Sequence, residues 1–250
     1  MKMPSTLLTP WLVCLILFSV TAATAGAQES GHAKKITPHT KVDSQKKTIL
    51  AKQLPSYPLD VCAVSGAPLG SMGEPIDEIL EGRLVRLCCD GCIKGLKKNP
   101  AAAFEAIDKG VIKAQLPTYP LARCVVSKEL LQTSPSVIDY VYGTRLVRLT
   151  NKTAQMEFVK DPNRYIAQID ARLIESQIKH YPLDVCLVSG DELSEGTHDF
   201  LYGIRLVRTC CKRCEKAFQR SPKRFIGRLD AAAQSQPKKD GRAPVGSDSK

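Results

Sequence analysis

Three cysteines crowd together at Leu87-Cys88-Cys89-Asp90-Gly91-Cys92, and the same cluster returns at Thr209-Cys210-Cys211-Lys212-Arg213-Cys214. An isolated cysteine precedes each cluster, Cys62 and Cys186, giving spacings C-x25-C-C-x2-C and C-x23-C-C-x2-C. Thiolates are soft ligands, and four at tetrahedral spacing suit zinc or copper(I) equally. One helical turn separates Cys88 from Cys92. A cluster placed where a strand ends and a helix begins also gains from helix N–H groups, which lower thiol pKa values. The candidate ligand sets are therefore Cys62, Cys88, Cys89 and Cys92, and Cys186, Cys210, Cys211 and Cys214.

The elements that must position these sulfurs recur three times. Tyr-Pro-Leu starts segments at Tyr57, Tyr119 and Tyr181, 62 residues apart each time, and Arg-Leu-Val-Arg follows at 83–86, 145–148 and 205–208. Self-similarity on this scale marks a tandem array. Within each copy, two short apolar pieces joined by Glu81-Gly82, Gly143-Thr144 or Gly203-Ile204 predict a β-hairpin. A short helix close to the cysteine cluster comes next. Asn99-Pro100, Asp161-Pro162 and Ser221-Pro222 then predict the start of a longer one. Its buried stripe is expected on Phe104, Ile107 and Val111, on Ile166, Ile169 and Leu173, and on Ile226, Leu229 and Ala233.

The fold class expected is α+β, as three tandem zinc-finger-like modules at 53–115, 116–177 and 178–236. Modules this small barely fill a core, so a metal staple is the structural reading of the cysteines beside the functional one. The middle module is degenerate. It keeps Cys124 but has Thr150, Asn151 and Ala154 where its neighbours have the cluster, and Ala122 where they have Asp60 and Asp184. Joint loss makes Asp60 and Asp184 candidates for supporting the ligands from behind, or for a plain turn-stabilising role. Asp77, Asp139 and Asp199 persist in every copy and belong to the scaffold; Cys124 is expected as a small buried apolar residue.

The Asp-x-Cys-x-Val-Ser-Gly segments, the Arg-Leu-Val-Arg-x-Cys-Cys strand ends and the Cys-Cys-x-x-Cys clusters resemble the TRASH and YHS family of cysteine-motif domains, over essentially all of modules one and three. The resemblance implies a treble-clef-like fold and a part in heavy-metal trafficking, resistance or sensing. The family's pattern of an early cysteine and a C-x3-C pair falls on Cys62, Cys88 and Cys92, and on Cys186, Cys210 and Cys214. Cys89 and Cys211 are extra to it and stand as candidate fourth ligands.

Composition bounds the rest. With 250 residues, 43% of them apolar, the chain can build real cores. Lys2, the apolar run Leu7–Val20 and Ala25-Gly26-Ala27 read as a cleaved signal peptide over 1–27, which places the mature protein in a bacterial periplasm or beyond, with no transmembrane segment. Residues 28–52 are expected as a flexible linker and 237–250 as a disordered basic tail. The net charge of +11 suits nucleic acid in principle, but export argues against that partner and for anionic surfaces or plain solubility. No Walker loop, GxSxG or HExxH is present, so no enzyme is expected. His32 and His39 fall in the linker; His180 and His198 have no counterpart in module one. The partners expected are metal ions and a protein for metal delivery. Two other functions compete: a zinc-stapled interaction module, and thiol–disulfide chemistry at Cys89-x2-Cys92 and Cys211-x2-Cys214.

Overall fold

The computed structural model describes residues 38–194 and 196–235. The leader, His32, the first part of the linker and the basic tail lie outside the described residues. The chain is α+β, built from small antiparallel hairpins mixed with helices. Helix α1 (Pro38–Gln53) leads into the first copy, which runs β1 (Ile76–Leu80), β2 (Arg83–Leu87), α2 (Gly91–Lys98) and α3 (Pro100–Gln115). The second runs β3 (Ile138–Tyr142), β4 (Arg145–Leu149), α4 (Lys152–Lys160) and α5 (Pro162–Ile178). The third runs β5 (His198–Tyr202), β6 (Arg205–Thr209), α6 (Lys212–Arg220) and α7 (Pro222–Ser235). No helix among the described residues is long and apolar enough to cross a membrane.

Each hairpin closes through two residues, pairing Leu80 with Arg83, Tyr142 with Arg145 and Tyr202 with Arg205. Glycine sets the turn. In the first copy Glu81 (φ 52°) and Gly82 (φ 75°) are both left-handed, whereas in the others glycine moves to the first turn position, at Gly143 (φ 61°) and Gly203 (φ 69°). These are the mirror-image turns whose twist matches that of the strands. On each hairpin the second Arg-Leu-Val-Arg arginine binds the constant aspartate, Arg86 to Asp77 at 2.8 Å, Arg148 to Asp139 at 2.7 Å and Arg208 to Asp199 at 2.9 Å. The tyrosine of Tyr-Pro-Leu completes the brace: Tyr57, Tyr119 and Tyr181 hydroxyls accept from the backbone N–H groups of those arginines. The constant aspartates are thus scaffold, as the middle copy foretells.

The segment expected as a flexible linker is helical from Pro38, because α1 is the counterpart of α3 and α5. Its last residue, Gln53, donates to Gly82 O and accepts from Leu84 N–H, both at 2.8 Å. Gln115 grips Thr144 O (2.7 Å) and Leu146 N–H (3.0 Å) in the same way, and Gln177 grips Ile204 O and Leu206 N–H (both 2.8 Å). Every hairpin is therefore clamped by the helix that precedes it. Sharing of side chains follows: Val141 and Leu146 of the second hairpin pack in one apolar cluster with Ile107 and Val111 of α3. The hairpin tips also reach back to the turn Leu54–Ser56, where Thr144 Oγ1 lies 2.8 Å from Ser56 Oγ. A Cβ at Gly203 would sit 2.9 Å from the Pro55 carbonyl, so this approach needs glycine twice over, for space and for its positive φ.

The long helices start where expected, with Asn99 and Asp161 side chains accepting from Ala102 and Arg164 N–H. The expected stripe is buried at Ile107, Val111, Ile169, Leu173 and Leu229, but its first position falls on the preceding residue in each helix, and Ala233 is exposed. Ala103, Ile107 and Val111 are buried in α3, Tyr165, Ile169 and Leu173 in α5, and Phe225 and Leu229 in α7. Phe104 is only partly buried and lies under the Arg83 guanidinium, 4.6 Å from the ring centre.

Candidate metal centre

The first cysteine of each copy lies on a tight knuckle. Cys62 N–H donates to Ala67 O at 2.7 Å, Gly66 N–H donates to Cys62 O at 2.9 Å, and Ala63 N–H reaches Arg86 O on β2 at 3.3 Å. Gly66 (φ 74°) and Gly190 (φ 81°) supply the left-handed residue that lets the chain double back. The middle copy puts Lys128 (φ 65°) in that position, held by bonds from its Nζ to Val125 O and Gln168 Oε1. Because the knuckle is pinned to the second strand, its cysteine meets the residue that follows the strand's end.

Three sulfurs converge in each outer copy. Cys62, Cys88 and Cys92 have all their Sγ atoms within 4.8 Å of one another, as do Cys186, Cys210 and Cys214. Cys62 and Cys88 are each 2% exposed and Cys186 is fully buried. All cysteines among the described residues are free thiols. Separations of this size fit donors around one cation, since two sulfurs 2.3 Å from a tetrahedral zinc lie about 3.8 Å apart. The spacings include Cys88 to Cys92 at 3.8 Å and Cys210 to Cys214 at 3.7 Å.

Cys89 and Cys211 stand at the edge of these trios. Cys89 Sγ lies 3.8 Å from Cys88 and 3.9 Å from Cys92, and Cys211 Sγ lies 3.8 Å from Cys210. Neither joins the mutually close set. Cys211 occupies the N-cap of α6 without closing a cap hydrogen bond. Its counterpart Asn151 caps α4 by accepting from Ala154 N–H at 2.9 Å. The backbone N–H groups of Cys92 and Cys214 draw the Cys89 and Cys211 thiols below their ordinary values, the helix-start effect expected of the cluster.

Two donors were missed in reading the sequence, Ser65 and Ser189, although Val-Ser recurs after the first cysteine in every copy. Ser65 N–H points at Cys62 Sγ (3.5 Å) and its hydroxyl lies 3.4 Å from Cys88 Sγ; Ser189 lies likewise against Cys186 and Cys210, at 3.5 and 3.6 Å. Burial pushes the Cys62 thiol up, but the Ser65 hydroxyl and N–H, with the N–H groups of Cys88 and Val64, outweigh it and bring the thiol down to about 6. Ser189, Cys210 and Val188 do the same for Cys186, also to about 6. Cys92 and Cys214 go the other way, pushed up to about 12 by desolvation together with the neighbouring thiols. Cys210 is raised too, its Ser189 hydrogen bond being outweighed by desolvation and the Cys186 and Cys211 thiols, so each trio joins a thiol drawn toward the thiolate to one that holds its proton.

Metal uptake must expel that proton. Zinc binding at pH 7.5 is therefore expected to release at least one proton per ion, measurable by calorimetry in buffers of different ionisation enthalpy. The sign is fixed: lower pH weakens binding, and more steeply below pH 6, where Cys62 and Cys186 also take up protons. A binding enthalpy independent of buffer would contradict this.

Asp60 and Asp184 lie at the knuckle turn. Both side chains are exposed and join neither trio. What the position contributes is its backbone carbonyl, which accepts from Leu69 and Leu193 N–H, and Ala122 does the same for Leu131. In the middle copy Cys124 is fully buried, as expected, and the vanished cluster is replaced by polar bonds: Ser127 Oγ to Thr150 Oγ1 at 3.0 Å, and Ser134 Oγ to Thr150 O at 2.8 Å. The Cys124 thiol is still lowered, burial being outweighed by Ser127, Thr150 and Val126, so the activating donors belong to the knuckle and the strand end and do not depend on the cluster.

No protein-family model, curated protein or solved structure matches the chain.

Proposed function

We propose that the chain is an exported binding protein for soft or borderline metal ions, zinc or copper(I), which it carries or buffers through two thiolate sites. One observation carries the reading: sulfurs far apart in sequence converge in the outer copies, while the middle copy builds the same hairpin and helices without them. The middle copy holds the same arrangement with hydrogen bonds through Thr150 in place of the cluster, so an ion is not intrinsic to the fold, which favours an exchangeable cargo over a structural metal. Cys62, Cys88 and Cys92 hold one ion, with Cys186, Cys210 and Cys214 holding the other, and Cys89 and Cys211 lie close enough to supply further sulfur. The hairpin, knuckle and helix start support treating the outer copies as zinc-finger-like and akin to TRASH and YHS domains. The leader-like residues at 1–27 support export, and a carrier of this kind hands its ion to a delivery partner.

A chelator competition tests this. Excess chelator added to the zinc-loaded chain is expected to strip the metal while the far-ultraviolet helix signal persists. Loss of the helix signal together with the metal would instead make the ion a structural staple.

A further inference from the structure

The two sites are not equivalent, and the difference lies one knuckle turn from the first cysteine. The fifth residue after it is Ala67 in the first copy, Glu129 in the second and Asp191 in the third. The knuckle fixes this position: its carbonyl accepts from the cysteine N–H in all three copies, at 2.7, 2.9 and 2.7 Å. At that anchor Asp191 brings its carboxylate beside one member of the trio, with Oδ2 3.9 Å from Cys210 Sγ and, like Cys211, outside the mutually close set. Its N–H faces Ser189 Oγ at 3.4 Å, and Ser189 in turn lies against Cys186 and Cys210. The first copy offers a methyl group there. Its additional sulfur is Cys89, within 4 Å of both Cys88 and Cys92; the third copy has Cys211 at that position, 3.8 Å from Cys210, with the Asp191 carboxylate beside it.

The geometry points to different donor sets: Asp191 is the fourth ligand of the third-copy site, giving three sulfurs and one oxygen, while the first-copy site is sulfur throughout. This rests on the trios binding metal, as proposed above, and adds a division of labour between them. A carboxylate oxygen suits a borderline divalent ion such as zinc, whereas an all-thiolate site suits copper(I). The chain then sorts its cargo, with copper(I) held by the first copy and zinc by the third. Asp191 is a specificity-determining residue for that sorting.

Cadmium-113 NMR of the reduced full chain reads donor sets in both sites at once, because the shift moves downfield as thiolates replace oxygen. Two well-separated resonances are expected, and Asp191→Ala is expected to move only the upfield one. The reciprocal Ala67→Asp is expected to move the downfield one upfield. Zinc affinity at the third-copy site is expected to fall at least ~10-fold in Asp191→Ala, with copper(I) affinity unchanged within ~3-fold, a size in line with perturbing a metal site's coordination environment. Asp191 is exposed, so the substitution does not disturb a core. Coincident resonances, or a pair unmoved by Asp191→Ala, would overturn the assignment and leave thiolate binding standing. A chain that takes up no cadmium would overturn both.

Discussion

Replacing Cys88 by alanine is expected to lower the zinc content of the reduced chain from two ions to one, with affinity at the first-copy site reduced by more than ~100-fold. The size follows from losing a direct ligand, since outer-shell partners alone are worth about 10- to 100-fold. Cys88 is buried and 3.8 Å from Cys92, so its removal breaks the convergence and also leaves a small void. Cys124→Ala separates the two effects. Cys124 is just as buried but belongs to no trio, and its alanine variant is expected to keep both ions. Equal zinc content in wild type and Cys88→Ala would remove Cys88 from the ligand set.

Phe158→Ala is expected to destabilise the chain by about 3–5 kcal/mol, the range for truncating a buried aromatic side chain. Phe158 is fully buried at the centre of the middle copy. Tyr140 and Tyr142 meet its ring edge-on at 5.8 and 5.7 Å, and Tyr165 lies tilted against it at 5.8 Å. No thiolate cluster reinforces this copy, so added zinc is expected not to restore what the substitution removes. The middle copy also joins its neighbours physically: its hairpin packs on α3 and its own α5 clamps the third hairpin through Gln177. Urea denaturation with and without zinc gives the measurement, and an unchanged midpoint would show that the middle core does not depend on its aromatic cluster.

The ligand trios were legible because the chain contains its own control. Thr150 and Ala154 in place of two cysteines marked the cluster as one unit, and the constant Asp77, Asp139 and Asp199 separated scaffold from site. The hairpins were legible for a local reason, a glycine-bearing two-residue joint before Arg-Leu-Val-Arg. Helix α1 was not, because Pro38–Gln53 is rich in lysine and polar residues and shows no clear apolar stripe. Its signal was a longer repeat: Gln53-Leu54-Pro55 stands 62 residues before Gln115-Leu116-Pro117. The buried stripe differs only at its first position, because Phe104 looks like core while Ala103 does not, yet the flat Arg83 guanidinium covers Phe104 and leaves the tight contact to the smaller side chain. Asp60 and Asp184 vanish together with the cluster, yet Ala122 makes the same backbone bond in the turn. Ser65 and Ser189 went unnoticed for the opposite reason, since Ser127 keeps the position in the copy without a site.

X-ray absorption at the zinc edge of the reduced, zinc-loaded full chain tests most directly whether the convergent sulfurs bind metal. Two ions per chain are expected, each with three or four sulfur scatterers at about 2.3 Å. A shell of nitrogen and oxygen alone, or a reduced chain that retains no zinc, would contradict it.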